Sequence, residues 1–198
     1  IDEKNIIQYK AIDAVVTIKR KIDQKAKLPF KKNHKKNILI RIEEEEASYT
    51  SKSSKAIQII ENITNEFSNE NIVVLGRYEK QIKNLQKIIG KKAKIVKMSF
   101  DGKHLLNNTD VFIGSGGTMT AESALMGIPT ISYNAVPNII EEFLVKKQLV
   151  RRETSGRKIS SHIKKIFEST KNLNEKRAKN VVRVMEDPIQ KLIKIINN

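Results

Sequence analysis

Short apolar runs alternate with amphipathic segments from residue 37 to residue 133. The runs are continuous and rich in β-branched residues, which is typical of strands in a parallel sheet that is covered on both faces. In chain order they are NILIRI (37–42), NIVVLGR (71–77), AKIVKM (93–98), DVFIG (110–114) and PTISY (129–133). The alternation predicts a three-layer α/β fold with a Rossmann-like, mostly parallel sheet.

The segments between and after these runs carry signals for helix starts and ends. Apolar residues recur at helical spacing in each, and glycines or a proline mark several of the boundaries. The pattern predicts helices over 51–67, 79–90, 118–127 and 136–148, a short helical piece near 103–108, a polar loop over 151–160, and a helical tail over 159–196 that breaks before Pro188.

The first 36 residues lack this alternation. The stretch AIDAVVTIKR (11–20) is compatible with a strand or with the end of a linker, and KLPFKKNHKK (27–36) with a solvated loop. We therefore divide the chain into residues 1–36, a linker or the remnant of a preceding domain, and residues 37–198, one α/β domain with a helical tail. Since the chain starts at Ile1 and not at Met, we expect it to be part of a longer polypeptide.

Composition excludes several kinds of site. The chain has no Cys, which rules out disulfides, thiolate metal sites and cysteine nucleophiles. His34, His104 and His162 lie far apart in the sequence and show no metal-ligand spacing, so we predict no metal. No apolar run approaches the roughly 20 residues of a membrane-spanning helix, and we expect a soluble, cytoplasmic protein.

The net charge of +16 predicts a positive electrostatic field around the protein. Such a field attracts nucleic acid, anionic lipid headgroups or phosphorylated ligands. The lysines are spread along the chain with little Arg or aromatic residue among them, so we expect no specific recognition of nucleic acid. Peripheral association with a membrane through the lysine-rich surface stays open, as does a role in solubility alone.

The stretch DVFIGSGGTMTAESALMGIPTISY (110–133) holds four of the eight glycines. A buried strand, a Ser-Gly-Gly turn and a helix follow one another here, an arrangement in which backbone N–H groups and the helix N-terminus attract phosphate. Gly116 and Gly117 would let a ligand approach the backbone, and Ser115 and Thr118 offer hydroxyl groups. The spacing fits neither a Walker loop nor G-x-G-x-x-G. The alternative is that the glycines only shape a tight turn.

Four further residues are candidates for the same site. Glu122 lies one turn into the helix, where a carboxylate can accept hydrogen bonds from both ribose hydroxyls or complement the helix dipole. Arg77 follows the second strand and can clamp phosphate or pair with Glu79 at the surface. Asp101 and His104 follow the third strand, where His104 is a candidate acid or base, or a structural residue.

The glycine-rich stretch resembles the nucleotide-sugar signature in the C-terminal domain of GT-B-fold proteins. That group includes the UDP-N-acetylglucosamine 2-epimerases and the MurG-type N-acetylglucosaminyltransferases. The chain is most similar to an uncharacterised, largely archaeal family of GT-B-like proteins. It shares with that family the blocks at 41–49, 76–81 and 101–110 together with the glycine signature, and the resemblance covers about residues 37–150.

The resemblance implies roles for the candidate residues. Ser115, Gly116, Gly117 and Thr118 would hold the diphosphate of a nucleotide sugar, with UDP-sugars favoured, and Glu122 would hold the ribose. The nucleotide sugar would be a substrate, and no other cofactor is implied. Where the epimerases carry a His-Arg-Arg-Glu-Asn motif, this chain has RIEEEEASY, which argues against epimerisation by their mechanism.

The resemblance also implies that this chain is one half of a GT-B protein. An N-terminal half would be its partner, and glycosyltransferase-like activity would depend on groups from that half. Two other functions stay open at this point. One is a non-catalytic nucleotide-binding or regulatory domain, and the other is a basic domain that binds nucleic acid or an anionic surface.

Overall fold

A single parallel sheet forms the centre of the computed structural model, which describes residues 8–22, 27–31, 33–42, 55–97, 100–133, 138–169 and 173–197. Within these ranges the sheet has six strands in the order β3-β2-β1-β4-β5-β6, and every neighbouring pair is parallel. The strands are β1 (Asn37–Arg41), β2 (Asn71–Gly76), β3 (Lys94–Lys97), β4 (Val111–Gly114), β5 (Thr130–Ser132) and β6 (Val150–Arg152).

Helices cover both faces of this sheet. They are α1 (Ala14–Lys19), α2 (Lys55–Glu66), α3 (Glu79–Ile89), α4 (Gly102–Asn107), α5 (Thr118–Leu125), α6 (Ile139–Lys146), α7 (Gly156–Glu168), α8 (Leu173–Arg183) and α9 (Pro188–Ile196). The apolar residues of α2, α3 and α7 pack on one face, and those of α4 and α5 on the other. Helices α1, α6 and α8 pack around α5. None of the described helices is long and apolar enough to cross a bilayer.

Alternation along β1 shows why two helical layers are needed. Ile38 and Ile40 belong to the cluster with α2, α3 and α7, whereas Leu39 belongs to the cluster with α4 and α5. Successive side chains of a strand point to opposite faces, and all three of these are fully buried. The predicted three-layer, mostly parallel α/β fold is therefore confirmed.

Two segments differ from their sequence-based assignments. Residues 11–20, interpreted as a strand or a linker end, contain the helix α1, whose Ala14 and Val15 are buried. The predicted polar loop at 151–160 contains the end of β6 and the start of α7. β6 is an edge strand with two arginines, so its sequence shows no apolar run. This segment is a strand because it pairs with β5. Residues 51–54, at the start of the helix predicted over 51–67, lie outside the described residues.

In the described part of the tail, α7, α8 and α9 follow one another, and α9 begins at the break that the sequence predicts. Pro188 is the first residue of α9, where its missing N–H costs no hydrogen bond. Asp187 caps that helix, because its carboxylate accepts hydrogen bonds from the N–H groups of Ile189 and Gln190 at 3.1 and 3.2 Å.

A buried hydroxyl pair joins α5 to β5. Ser123 Oγ and Thr130 Oγ1 lie 2.8 Å apart, and Thr130 Oγ1 also donates to the carbonyl oxygen of Ile128 at 2.8 Å. A hydroxyl has one proton to donate. Since Thr130 gives its proton to Ile128, Ser123 is the donor in the hydroxyl pair.

Thr130→Val leaves the buried Ser123 hydroxyl without its acceptor. We expect this variant to lower the free energy of unfolding by about 1–3 kcal/mol. Ser123→Ala alone should cost less because Thr130 keeps its bond to Ile128, and the double variant should recover part of the Thr130→Val loss. Urea unfolding of the wild type, the two single variants and the double variant measures the coupling between the two residues. Strictly additive losses would contradict an interaction between the two hydroxyls.

Candidate functional site

The turn at residues 115–117, here called the glycine turn, connects the end of β4 to the start of α5. It lies at the carboxyl edge, the side of the sheet where the parallel strands end. β4 neighbours β1, and from this pair the strand order runs outward in opposite directions. Ligands of open α/β sheets bind in the crevice at such a reversal point, outside the carboxyl ends of the strands. The fold therefore places the glycine turn where this class of sheet binds ligands.

Two glycines of this region are required by the fold itself. Gly116 has a φ of +86°, which L-residues with a side chain rarely adopt. Its N–H donates to Thr120 Oγ1 at 3.2 Å. At Gly114, an added Cβ would lie 2.6 Å from both Phe112 Cε1 and Thr120 Oγ1. Turn geometry and packing explain these two positions without a ligand.

Gly117 is different because nothing in the described structure requires a glycine there. Its φ is −80°, it is exposed, and an added Cβ would meet no atom within 4 Å. Gly117 is also the N-cap residue of α5 and supplies no side-chain cap. The first N–H groups of a helix have no acceptor within the helix. The missing side chain thus leaves open backbone at a helix N-terminus, which suits a close-fitting anion.

Asn138 fastens a second helix to the glycine turn. Its Oδ1 accepts a hydrogen bond from Glu141 N at 2.9 Å, which caps α6, and its Nδ2 donates to the carbonyl oxygen of Gly116 at 3.0 Å. Asn138 is not among the site residues predicted from the sequence. An Asn directly before a helical pattern was the available signal for the cap, but the contact with Gly116 depends on the fold.

Glu122 lies half-buried against α1. Burial raises the pKa of its carboxyl group above the ordinary value, and the nearby Asp101 acts in the same direction. A hydrogen bond with Thr17 and the charge of Arg20 act against this rise in pKa. Glu122, the residue predicted to bind ribose, thus has two partners, Thr17 and Arg20, in the segment that precedes the sheet.

Asp101 is held by two structural interactions. It caps α4 by accepting a hydrogen bond from His104 N at 2.8 Å, and it forms a bidentate ion pair with Arg20 at 2.6 and 3.0 Å. Both contacts lower the pKa of Asp101, and the hydrogen bond with Arg20 has the larger effect. For His104 the cap involves the backbone N–H, and the ring is half-buried on α4. A ligand-binding role for either residue stays a prediction.

Arg77 lies at the carboxyl edge but not next to the glycine turn. It follows β2, and β1 separates β2 from β4. Neighbouring strands are about 4.8 Å apart, so the Arg77 backbone is roughly 10 Å from the glycine turn. The side chain is exposed, with its guanidinium carbon 5.8 Å from the ring centroid of Tyr78.

Arg41 is a basic residue at this edge that was not predicted as a site residue from the sequence. It ends β1, the strand between β2 and β4, and its carbonyl oxygen accepts a hydrogen bond from the hydroxyl of Tyr133 at 3.3 Å. Alternation along β1 places Arg41 on the same face as Leu39, the α4 and α5 side. An arginine that ends an apolar strand was the available signal. EEEE, at 43–46, lies outside the described residues.

Two sequence blocks that carried the family resemblance have structural roles here. In the block 76–81, the buried Gln81 accepts a hydrogen bond from Arg77 N at 2.7 Å and so shapes the turn from β2 into α3. In the block 101–110, Asp101 caps α4 and Asp110 accepts from Asn37 N at 2.8 Å, which ties the start of β4 to β1. The residues of these two blocks are therefore explained more directly by the fold than by ligand binding.

A groove of about 1300 Å³ lies at the opposite edge of the sheet, where β4, β5 and β6 begin. Asp110, Pro129 and Arg151 are among the residues that line it. Because ligands of open parallel sheets bind at the carboxyl edge, we place the candidate site at the glycine turn and not in this groove. Within the described ranges, no three His, Asp or Glu side chains could hold a metal ion together.

Together these features define a class of protein domain. The strand order β3-β2-β1-β4-β5-β6, with a glycine turn at the reversal point, is that of a Rossmann-like α/β fold. The chain belongs to the family described as "Protein of unknown function (DUF354)", which matches residues 3–198. The uncharacterized protein MJ0665 of Methanocaldococcus jannaschii is 34% identical to it over 94 residues, which make up 47% of this chain and 27% of that protein.

Solved structures with the same fold include UDP-GlcNAc 2-epimerases and a rhamnosyltransferase. The UDP-GlcNAc 2-epimerase of Methanocaldococcus jannaschii, in complex with UDP-GlcNAc and UDP, has a TM-score of 0.62 at 16% identity, over 93% of this chain and 55% of that chain. The spinosyn rhamnosyltransferase SpnG, complexed with spinosyn aglycone, has a TM-score of 0.63 at 15% identity, over 84% and 46%. The Neisseria meningitidis UDP-GlcNAc 2-epimerase bound to UDP-GlcNAc has a TM-score of 0.57 at 14% identity, over 81% and 44%.

These similarities confirm the GT-B-like resemblance at the level of the fold. The chain spans about half the length of the structural relatives and 27% of MJ0665. The activities of those longer proteins are therefore matters for proposal.

Replacing Glu122 tests its environment without any ligand. Because the pKa of Glu122 is raised in the folded state, its contribution to stability is full below the ordinary value of 4.5 and is lost as the pH rises through the folded value. We expect Glu122→Gln to be at least as stable as the wild type at neutral pH. The wild type should gain free energy of unfolding relative to the variant as the pH falls toward 4.5.

Urea unfolding at neutral and mildly acidic pH measures this difference. Glu142→Gln is the matched control, since Glu142 is exposed in the first turn of α6. A Glu122→Gln variant that is less stable at neutral pH, with a deficit that shrinks on acidification, would show the opposite sign and contradict a raised pKa of Glu122.

Proposed function

We propose that this chain is the nucleotide-binding half of a GT-B-like protein that processes nucleotide sugars, with a UDP-sugar as its ligand. The observation that carries the proposal is Gly117. It leaves open backbone at the N-terminus of α5, at the reversal point of the sheet, and no neighbour within the described structure excludes a side chain there. Close approach of a ligand explains this glycine. Structural relatives crystallised with UDP or UDP-GlcNAc support the choice of ligand.

In this proposal the diphosphate binds at the glycine turn. The N–H groups of Gly117 and Thr118 donate to phosphate oxygens, and the hydroxyls of Ser115 and Thr118 add donors. Gly116 has a different part, because its N–H is already bonded to Thr120 and its φ sets the turn. Arg41 and Arg77 end or follow neighbouring strands and add positive charge to the same edge, which favours a dianionic ligand.

The ribose is assigned to Glu122, with α1 as part of the site. The Glu122 carboxylate has Thr17 and Arg20 beside it. A carboxylate accepts several hydrogen bonds at once, so ribose hydroxyls can share it with Thr17. The charge of Arg20 acts against the rise that burial causes in the pKa of Glu122, and Arg20 is itself fixed by Asp101. The segment before β1 therefore orients Glu122, the residue that would bind the ribose of the nucleotide.

The reaction itself would depend on groups outside this chain. The chain spans 39–55% of the structural relatives, and a site built on one half of such a protein is open on the side that the other half covers. This accounts for the exposure of Gly117. We assign sugar transfer or other nucleotide-sugar chemistry to the whole protein and assign no catalytic residue here. Thymidine diphosphate, with which SpnG has been crystallised, is the natural competitor to UDP.

Titration with UDP tests the nucleotide site directly. We expect the amide resonances of Gly117 and Thr118 to shift, with smaller changes at Gly116, because its N–H keeps its bond to Thr120. Gly117→Ala places a methyl group where the diphosphate approaches. A steric cost of about 1–3 kcal/mol corresponds to a roughly 5- to 150-fold weaker affinity, measured by calorimetry.

The matched control is Gly90→Ala, because an added Cβ at Gly90 also meets nothing within 4 Å, and this residue follows α3, far along the chain from the glycine turn. Its positive φ should cost some stability and leave affinity unchanged. Pyrophosphate and thymidine diphosphate, titrated in parallel, separate phosphate binding from base recognition. No shift at millimolar UDP, or a Gly117→Ala protein that binds UDP as the wild type does, would contradict the proposal.

Glu122→Gln tests the ribose assignment. Hydrogen bonds to a charged group contribute about 1.5–3 kcal/mol each, so we expect UDP affinity to fall by roughly one to two orders of magnitude. The control Glu142→Gln should bind UDP like the wild type. Calorimetric titration of the three proteins measures the effect, and equal affinities for Glu122→Gln and the wild type would remove Glu122 from the site.

A further inference from the structure

Three successive peptide units of the glycine turn are each fixed by a separate contact. The N–H of Gly116 donates to Thr120 Oγ1 at 3.2 Å, which fixes the unit before Gly116. The carbonyl oxygen of Gly117 accepts hydrogen bonds from the N–H groups of Thr120 and Ala121 at 3.0 and 3.3 Å, which fixes the unit after Gly117. The middle unit, between Gly116 and Gly117, is held by a contact from another helix.

Asn138, the N-cap of α6, makes this contact. Its Nδ2 donates to the carbonyl oxygen of Gly116 at 3.0 Å, and its Oδ1 accepts from the N–H of Glu141 at 2.9 Å. These partners determine the orientation of the amide group, because a carbonyl oxygen only accepts and an N–H only donates. Helix α6 is itself anchored, since the buried Glu141 forms an ion pair with Arg152 of β6 at 3.5 Å and Leu144 packs in the cluster around α5.

The contact from Asn138 also determines where the N–H of Gly117 points. The carbonyl group of Gly116 and the N–H of Gly117 belong to one trans peptide unit, so they point in opposite directions. Because Asn138 holds the carbonyl group, the N–H of Gly117 is directed away from the Asn138 amide. A hydrogen bond to the carbonyl oxygen also polarises the unit, which strengthens its N–H as a donor.

We propose that Asn138 is a positioning residue of the nucleotide site and aims the N–H of Gly117 at the diphosphate. This role rests on the proposed function, because the diphosphate is the ligand that the N–H would meet. Glycine has few steric limits on its backbone angles, so a peptide unit between two glycines needs an outside contact to keep one orientation. A donor that is already aimed at its acceptor loses less conformational freedom on binding.

Asn138→Ser separates the two contacts of Asn138. Serine is also a good N-cap residue, so α6 can keep its cap, whereas the amide group that bonds Gly116 is lost. We expect the affinity for UDP, measured by calorimetry, to fall roughly 2- to 10-fold. Asn138→Ala loses the cap as well, so it should bind UDP like Asn138→Ser but melt at a lower temperature.

Asn108→Ser is the matched control. It removes the same kind of hydrogen bond, from Asn108 Nδ2 to the carbonyl oxygen of His104 at 2.9 Å. Asn108 follows α4 and precedes β4, so it lies at the opposite edge of the sheet from the glycine turn. We expect Asn108→Ser to bind UDP like the wild type.

Amide resonances give a readout that a purely structural role of Asn138 would not change. At saturating UDP, the ligand-induced shift of Gly117 should be smaller in Asn138→Ser than in the wild type. Thr118 should keep its shift, because its N–H belongs to the next peptide unit, which α5 fixes.

Equal UDP affinities of the wild type and Asn138→Ser would overturn the proposal. Shifts of Gly117 and Thr118 that shrink together would also overturn it, as would affinities of the two Asn138 variants that fall in step with their melting temperatures. Either result would show a general weakening of the turn. A wild type without UDP-induced shifts would remove the nucleotide site itself, and the role of Asn138 with it.

Discussion

The position of β1 between β2 and β4 governs the rest of the structure. Leu39 of β1 lies in register between Val73 of β2 and Phe112 of β4, and all three are buried. Strands buried on both faces need a helical layer on each side, so the chain must cross over the sheet in both directions from β1. The strand order reverses its direction between β1 and β4. This reversal creates the crevice at the glycine turn.

Helix α1 links the candidate site to the segment before the sheet. Its Ala14 packs in the apolar cluster around α5, and Thr17 and Arg20 contact Glu122 and Asp101 respectively. Polar contacts from one short segment thus reach both α4 and α5. The sequence-based boundary at residue 36 separates two kinds of sequence pattern. In the structure, residues on the two sides of that boundary pack together.

Part of the positive charge has an explanation in the fold. Lys94 and Lys97 are exposed on β3, which is an edge strand, and lysines at such an edge discourage pairing with a strand of another chain. Other lysines pair within the protein, as Lys164 does with Glu66 and Lys179 with Glu175. Net charge alone therefore identifies no partner, and a specific partner must be argued from charge together with shape or exposed apolar surface.

The sequence by itself determined the features that depend on neighbouring residues. Apolar runs marked β1 to β5, and the Ser-Gly-Gly sequence marked the turn before α5, because burial on both faces and tight turns leave a local pattern. Pro188 and the residues before it marked the break in the tail. The fold class and the place of the candidate site followed from these signals and from the similarity of the glycine stretch to GT-B proteins.

Tertiary structure alone decided the features that depend on distant residues. β6 is a strand because β5 pairs with it, although Val150 to Arg152 show no apolar run. Glu122 meets Thr17, more than a hundred positions away, and Asn138 meets Gly116 across the end of the sheet. The structure also separates Gly117 from the glycines that the fold requires. A local pattern records how deeply a segment is buried. Contact between distant segments depends on the order of the strands in the sheet.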